Sequence, residues 1–240
     1  NGTYARAQLR GQGQTGIAID SKAGTIDFGF ATTSAANRVD AESDDRFTTY
    51  RMTINGTPRS YRVFNLTGND QLALTYTSLA LETIVPSGAP RVDSAIIFGI
   101  PTYHAALPRT GTGVYNGVLY GTAIGSGDAA DRYLLSGTAS LSFDWAGNSF
   151  TGDLRPVAAN ERTGASFALG SYAILGGSFA GTAGMSNTFA GDIGGVTGAT
   201  GRLNGGFYGP AAQEVGGTFT LTTPGAGTVL IGSGAFVAKR

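Results

Sequence analysis

The segment from Leu203 to Leu221 constrains the fold most, because apolar and polar residues alternate strictly on both sides of Gly209-Pro210. A period of two residues is the pattern of a strand with one buried face, and Gly-Pro is a turn signal. The apolar face comprises Leu203, Gly205, Phe207, Val215, Gly217, Phe219 and Leu221. This segment is therefore predicted to form an antiparallel hairpin, followed by a closing strand within 229–240.

The same pattern extends through the second half of the chain, where glycine is concentrated. Of the 39 glycines, 10 lie in residues 1–108 and 29 lie in residues 109–240. This change in composition predicts two domains. Many short strands separated by turn signals indicate a barrel or a sandwich. The patterns predict nine strands in the second half, near residues 113–123, 133–145, 148–155, 165–174, 176–184, 188–194, 200–208, 214–222 and 228–238.

Several short sequences in this region agree with one known family. They are Phe-Gly-Ile-Pro-Thr at 98–102, Leu-Pro-Arg-Thr-Gly at 107–111, Tyr-Asn-Gly at 115–117, Gly-Phe-Tyr-Gly-Pro at 206–210, Glu-Val-Gly-Gly-Thr-Phe at 214–219 and Gly-Ala-Phe-Val-Ala-Lys-Arg at 234–240. In these residues the chain resembles the transferrin-binding protein B-like surface lipoproteins of bacteria. The resemblance covers residues 96–240, and residues 1–95 agree with the family only in the order of the domains.

The resemblance implies an all-β fold with two domains. A β-rich, handle-like domain over residues 1–108 would precede an eight-stranded antiparallel β-barrel over residues 109–240. One of the nine predicted strands is then surplus, or belongs to a bend. A barrel of eight strands is just wide enough for its own side chains. The large residues expected to fill it are Leu135, Leu141, Phe143, Trp145, Phe207, Phe219 and Leu221.

Composition excludes several classes of protein. Charged residues make up 13% of the chain, with 16 basic and 16 acidic residues, so the basic stripe of a nucleic-acid-binding protein is not expected. The chain has no cysteine, and therefore no disulfide or thiolate chemistry. No apolar run approaches the length of a transmembrane helix. A membrane-embedded eight-stranded barrel stays open as an alternative, because its strands alternate in the same way.

Two motifs in the first half lack either the structural context or the residues that their functions require. Gly11-Gln12-Gly13-Gln14-Thr15-Gly16 fits a dinucleotide-binding pattern, but no apolar strand precedes it and no helix is expected after it. The acidic residues Asp40, Glu42 and Asp44 suggest a calcium loop, but the glycine and the glutamate that such a loop needs are missing. A flexible N-terminal loop and a solvated acidic loop are the favoured interpretations.

Residues for catalysis are also scarce. His104 is the only histidine, which excludes a zinc site with two histidine ligands. It lies in a proline-bounded linker, where an exposed histidine without a role is the favoured interpretation, and an axial haem ligand is the alternative. A carboxylate pair for glycoside hydrolysis stays open among the barrel acids, although no pattern favours one. These acids are Asp144, Asp153, Glu161, Asp192 and Glu214. We expect no enzymatic activity and no cofactor, with iron or haem only as a transported ligand.

Arginine and tyrosine concentrate around Asn55-Gly56, which is the strongest short hairpin signal. These residue types are enriched at binding hot spots, and loops on a rigid scaffold commonly carry function. The same residues would also suit the polar face of an ordinary hairpin. The predicted ligand contacts are Arg38, Asp44, Asp45, Arg46, Arg59, Tyr61 and His104.

The resemblance implies a lipid-anchored protein at the cell surface, on the bacterial outer membrane. It would capture an iron-, haem- or other nutrient-bearing ligand, protein or small molecule, and pass it to a TonB-dependent outer-membrane receptor. It would act as a monomer, with a lipid anchor outside this sequence as its only attachment to the membrane. The alternative is a surface protein for adhesion or host-protein binding without nutrient uptake.

Overall fold

A computed structural model describes residues 4–8, 16–20, 25–27, 32–65, 72–126, 131–179, 187–225 and 229–240, with side chains from Thr32 onward. The chain divides into two compact units, Asn1–Ile100 and Pro101–Arg240. Residues 11–15 of the predicted glycine-rich motif lie outside the described residues. Within the described ranges, no helix has the length and hydropathy required to cross a membrane.

The first unit contains two antiparallel sheets, each with its strands in chain order. The first sheet comprises β1 (Tyr4–Gln8), β2 (Gly16–Asp20), β3 (Thr25–Asp27) and β4 (Thr32–Thr33). The second comprises β5 (Phe47–Ile54), β6 (Thr57–Phe64), β7 (Thr77–Ile84) and β8 (Val92–Gly99). Two short 3-10 turns, Ala35–Asn37 and Asp40–Glu42, lie in the segment between the sheets.

The β5–β6 hairpin turns at Asn55-Gly56, as predicted. Both residues have positive φ, 49° and 76°, which is the combination that a two-residue type I′ turn requires. This turn sets the register, so that Tyr50 pairs with Tyr61 and Thr49 pairs with Arg62. Side chains alternate between the two faces of a strand. Tyr61 and its neighbour Arg62 therefore lie on opposite faces of the second sheet.

The second unit is a closed antiparallel barrel of eight strands, as predicted. They are β9 (Thr112–Gly125), β10 (Arg132–Asp144), β11 (Ser149–Asn160), then β13 (Tyr172–Phe179), β14 (Thr188–Gly194), β15 (Thr200–Tyr208), β16 (Glu214–Pro224) and β17 (Val229–Lys239), with β12 (Ser166–Ala168) lying between β11 and β13 in the chain. Each barrel strand pairs with the next, and β17 closes the ring against β9.

The surplus strand of the prediction lies in the segments 165–174 and 176–184, because only one strand of the barrel, β13, runs through this region. β13 runs through the glycines that separate them, because Gly176-Gly177 forms a bulge: Leu175 pairs with Asp192, whereas Ser178 pairs with Ala190. Gly176 has a φ of 58°, a left-handed conformation that glycine adopts without a steric penalty. β12 pairs with β11 outside the ring. Residues 180–184 lie outside the described part of the chain.

Aromatic rings fill the barrel. Phe143 lies at their centre, with ring centroids 5.0 Å from Phe150, 5.0 Å from Phe189 and 4.9 Å from Phe207. Edge-to-face and offset contacts at these distances are favourable beyond the burial of area alone. All of the residues that were predicted to fill the barrel are buried in this core: Leu135, Leu141, Phe143, Trp145, Phe207, Phe219 and Leu221.

Cross-strand pairs of glycine and phenylalanine make room for these rings. Gly205 pairs with Phe189, Gly217 with Phe236, and Gly234 with Phe219. A Cβ atom added at Gly217 would lie 2.6 Å from the Phe236 ring, and one added at Gly234 would lie 2.7 Å from the Phe219 ring. The glycines of the alternating pattern are therefore places where a neighbouring ring lies directly on the backbone.

Residues 101–108 associate with the barrel. Pro101 bridges to Tyr208, and the Thr102 amide and hydroxyl donate hydrogen bonds to the carbonyls of Phe207 and Gly209, at 2.9 and 2.6 Å. Leu107 is buried in the barrel core. The second compact unit thus begins at Pro101, earlier in the chain than the predicted start at residue 109; the division at 108 between two functional domains stays a prediction.

Candidate functional site

The polar segment before β5 is held against the edge of the second sheet. The Val39 amide donates a hydrogen bond to the Thr49 carbonyl at 2.9 Å, and Arg38 forms an isolated bridge with Tyr50. The Thr49 hydroxyl is buried beneath this segment, where it donates to the Glu42 carbonyl at 2.8 Å. The segment that was interpreted as a solvated acidic loop is therefore an ordered cover over β5.

Three exposed ion pairs lie on this segment and the adjoining face of the sheet. Their nitrogen–oxygen distances are 2.6 Å for Arg38–Asp40, 2.7 Å for Arg51–Glu42 and 3.5 Å for Arg62–Asp44. We refer to these six residues as the ion-pair surface. Exposed pairs of this kind contribute only about 0–1 kcal/mol each to stability. Each of these side chains can consequently exchange its present partner for a charged group of a binding protein with little loss of folding free energy.

Of the predicted contacts in this segment, Asp44 has a structural role. Its Oδ1 accepts hydrogen bonds from the amides of Arg46 and Phe47, at 2.8 and 2.7 Å. Such a carboxylate stabilises a turn by accepting from the backbone two and three residues later. The side chains of Arg38, Asp45 and Arg46 are exposed. The structure therefore brings four of the predicted contacts together in one segment, and all four are exposed at its surface.

Arg59 and Tyr61 lie on the other face of the same sheet. Both donate hydrogen bonds to Glu82 Oε1, at 2.9 Å from Arg59 Nη1 and 2.8 Å from the Tyr61 hydroxyl. Tyr61 is fully buried, so its prediction as a surface contact requires correction: the ring packs in a core with Val63, Ala80, Ile96 and Phe98. Burial, reinforced by the hydrogen bond to Glu82, raises the pKa of Tyr61.

His104 belongs to the second unit. It opens a short 3-10 turn, His104–Ala106, and its ring contacts Tyr103 edge-to-face at a centroid distance of 4.6 Å. Tyr103 is exposed. Across the residues that the structure describes, no group of three or more histidine or acidic residues is placed to hold a metal ion.

Three of the barrel acids have partners close by in the sequence or on the adjacent strand. Asp153 pairs with Arg155 at 2.6 Å, and Asp192 pairs with Arg202 at 2.9 Å. Asp144 accepts hydrogen bonds from the amides of Ala146 and Gly147 in the turn after β10. Each of these three carboxylates thus has a local partner of its own.

Sequence reasoning did not select Arg62 or Phe47 as site residues. The Arg62 guanidinium lies over the Phe47 ring, 4.6 Å from its centroid. The signal that could have found them is the hairpin register itself. Asn55-Gly56 fixes which residues share a face, and this register places Arg62 beside Arg51 and away from Arg59.

The comparisons with known proteins agree with this architecture. Residues 107–240 match the family model described as the C-lobe and N-lobe β-barrels of Tf-binding protein B. The chain belongs to this family. No curated protein matches the sequence significantly.

Solved structures of transferrin-binding protein B share the fold. A double mutant of the protein from Haemophilus parasuis Hp5 superposes with a TM-score of 0.59 at 15% identity, covering 99% of this chain and 44% of its own. The isotype 1 protein of serogroup B Neisseria meningitidis gives a TM-score of 0.51 at 19% identity, covering 98% and 43%. This chain therefore spans less than half the length of these two relatives.

Proposed function

We propose that this chain is a non-enzymatic binding protein of the bacterial cell surface. It captures an iron-, haem- or other nutrient-bearing ligand and passes it to a TonB-dependent outer-membrane receptor. The observation that carries this proposal is the match of residues 107–240 to the barrels of a Tf-binding protein. A lipid anchor on the outer membrane and a monomeric state are part of the same proposal, because the resembled family consists of surface lipoproteins.

The barrel supports a binding role at the outer surface. Its interior is filled by the rings around Phe143, so a ligand has to bind to loops or outer faces. A transferrin-sized protein suits such a surface better than an enclosed small molecule does. We place the contacts chiefly on the first unit, at Arg38, Asp45, Arg46 and the ion-pair surface, with Arg59 and His104 as further contacts.

The first experiment measures binding of the immobilised, purified chain to four probes: iron-loaded transferrin, haemoglobin, haemin and fibronectin. We expect saturable binding to at least one of the three iron-bearing probes. If none of them binds, capture of iron or haem is contradicted. Binding to fibronectin alone would favour the alternative, adhesion to a host protein without nutrient uptake.

A charge-swap variant then tests the location of the contacts. Arg51→Glu combined with Glu42→Arg keeps an ion pair but reverses both charges at the ion-pair surface. We expect its affinity for the bound probe to fall roughly tenfold, a larger loss than most interface residues cause. The matched control, Arg202→Asp with Asp192→Arg, reverses an exposed pair on the barrel wall and should bind as the unmodified chain does. The reverse ranking of the two variants would move the contacts to the barrel.

A further inference from the structure

Arg62 is held in place on a rigid aromatic platform. Its guanidinium lies 4.6 Å from the centroid of the Phe47 ring. Phe47 is buried, and its ring contacts Phe64 edge-to-face at 5.6 Å. A guanidinium stacked on an aromatic face gains cation–π attraction and loses freedom of movement. The charge of Arg62 is thus positioned before any partner arrives.

The hydrogen-bond donors of Arg62 are nevertheless unused. The nearest carboxylate oxygen is Asp44 Oδ2 at 3.5 Å, which is beyond the usual range of a hydrogen bond. Asp44 Oδ1 is already engaged by two backbone amides. Throughout the part of the chain that the structure describes, no hydrogen bond joins the Arg62 guanidinium to another residue. Its side chain is 37% exposed, so it is partly open to solvent.

A second guanidinium lies on the same face. Arg51 is two residues along β5 from Thr49, the residue paired with Arg62. Diagonal neighbours of this kind are separated by about 7–8 Å, within reach of long side chains. Arg51 is paired with Glu42 at 2.7 Å and is 62% exposed. The face therefore presents one open guanidinium beside another whose present partner is exchangeable.

The neighbouring charges restrict the anion that this face can accept. Glu42 is within ion-pair distance of Arg51, and Asp44 is within ion-pair distance of Arg62. A dianionic phosphate bound to either arginine would therefore be repelled by a carboxylate at close range. A single carboxylate matches the fork in shape and charge, because two parallel N–H donors can each bond one of its oxygens. We propose that Arg62, on its Phe47 platform, is a carboxylate-recognition site for the captured ligand, with Arg51 able to receive a second carboxylate.

This inference rests on the proposed function for the identity of the ligand. The carboxylate has two possible sources there: an aspartate or glutamate side chain of a bound protein, or a propionate of haem. The shared chemistry is the bidentate bond from Arg62. Arg62 was not among the contacts predicted from sequence, and its assignment depends on the stacking and on the open fork.

The first test does not depend on the ligand. In an isotopically labelled chain, the Nε–Hε resonances of the arginine side chains are followed during titration with sodium acetate at constant pH, against sodium chloride at matched ionic strength. We expect a saturable, acetate-specific shift of the Arg62 resonance and none at Arg202, which is already hydrogen-bonded to Asp192. If Arg62 responds to acetate no differently than it does to chloride, the carboxylate site is contradicted, whatever the biological ligand.

The second test uses the ligand probes and three variants. Arg62→Lys keeps the charge but loses the planar fork, Arg62→Gln loses both, and Arg202→Lys is the matched control on the barrel. We expect both Arg62 variants to bind the productive probe roughly tenfold more weakly, a larger loss than most interface residues cause, and the control to bind normally. Equal affinity of Arg62→Gln and the unmodified chain would overturn the proposal. Because neither side chain is fully buried, thermal unfolding should confirm that all three variants are folded.

Esterified haemin separates the two sources of the carboxylate. If haem propionates are recognised, haemin dimethyl ester should bind about tenfold more weakly than haemin does, and Arg62→Gln should lose this preference. If a protein carboxylate is recognised, transferrin binding should depend on Arg62 and the two forms of haemin should behave alike. An acetate response at Arg62 without binding of any iron-bearing probe would contradict capture of iron or haem and leave the carboxylate site supported.

Discussion

Two tyrosine hydroxyls show how single polar groups are held inside this all-β molecule. Tyr61 donates its hydrogen bond to the Glu82 carboxylate, and Tyr115 donates to the backbone carbonyl of Ala212. Both side chains are fully buried. Burial raises the pKa of each phenol, because a buried phenolate would lose its hydration. For Tyr115 the pKa rises to about 12.

The raised pKa of Tyr115 predicts a loss of stability in alkali. A tyrosine in an unfolded chain ionises at about pH 10. As the pH rises, the unfolded chain therefore releases this proton before the folded chain does. The contribution of Tyr115 is complete below that pH and is lost as the pH rises towards about 12. Urea unfolding of Tyr115→Phe should show a free energy of unfolding that is lower by about 1 kcal/mol at pH 8 and a shallower decline above pH 10. Tyr103→Phe, at an exposed site, should reproduce the original profile; if Tyr115→Phe does so too, the phenol is not the group responsible.

Single residues also show where sequence reasoning about the site was limited. The Asn55-Gly56 turn predicts the hairpin and thereby the alternation of Tyr61 and Arg62. The sequence does not reveal which face of the hairpin is covered by the rest of the unit, since Tyr and Arg suit either a core edge or a surface. The structure covers the face of Tyr61 and leaves that of Arg62 half open. The contrast between these two neighbours depends on packing between elements, which no local pattern encodes.

At the scale of strands, the barrel depends on rings that lie on glycines of the adjacent strand. Phe189 and Gly205 form one such pair across β14 and β15. An added methyl group at Gly205 would overlap the Phe189 ring and come within 2.9 Å of the Gly216 carbonyl oxygen. The backbone oxygen is fixed by the sheet, so this second contact cannot be relieved by a change of rotamer.

This interlock gives a matched pair of substitutions. Gly205→Ala should lower the free energy of unfolding by about 1–3 kcal/mol, the cost of overpacking a tight core. Gly206→Ala, one residue along the same strand, meets its nearest atom at 3.5 Å and should change stability by less than about 0.5 kcal/mol. Chemical denaturation of both variants measures the difference. Equal effects would show that the rings can move aside.

The strand pattern predicted most of the barrel, but it misassigned a pair of adjacent glycines inside a strand. The segments at 188–194, 200–208 and 214–222 agree closely with β14, β15 and β16, because alternation and turn glycines coincide there. Gly176-Gly177 resembles a turn in sequence but is a bulge inside β13. A pair of glycines permits both structures. The pairing on each side of the strand decides between them, and pairing is not visible in a single segment.

At the scale of the whole molecule, the chain forms two compact units, and the second starts at Pro101. The composition shift predicts a change of character along the chain. It could not locate the change to a residue, because residues 101–108 contain no glycine and yet bind to the barrel through backbone and side-chain contacts. Hydrogen bonds from Thr102 to residues 207 and 209 join positions far apart in sequence, beyond the reach of local reasoning.

The role of this connecting segment predicts different behaviour for two fragments. A fragment of residues 101–240 should fold by itself and show a cooperative thermal transition. A fragment of residues 109–240 lacks buried Leu107 and the hydrogen bonds of Thr102, and should be less stable by about 2–4 kcal/mol. Circular dichroism and urea unfolding compare the two. If both unfold at the same urea concentration, residues 101–108 are merely a linker.

The closing pair of the barrel has a consequence for the order of events during synthesis. β9 receives β17 on one side, with Gly125 opposite Leu230, so the ring stays open until nearly the whole second unit has left the ribosome. During that interval β9 and β16 each have one edge with unpaired backbone N–H and C=O groups, and such edges can pair with strands of other chains. Hairpins of the first unit, such as β5–β6, have local partners and can form as soon as they emerge. A nascent chain that is interrupted before β17 would therefore contain a folded first unit followed by an open sheet with two unpaired edges. Truncations late in the chain are consequently expected to aggregate more than early ones.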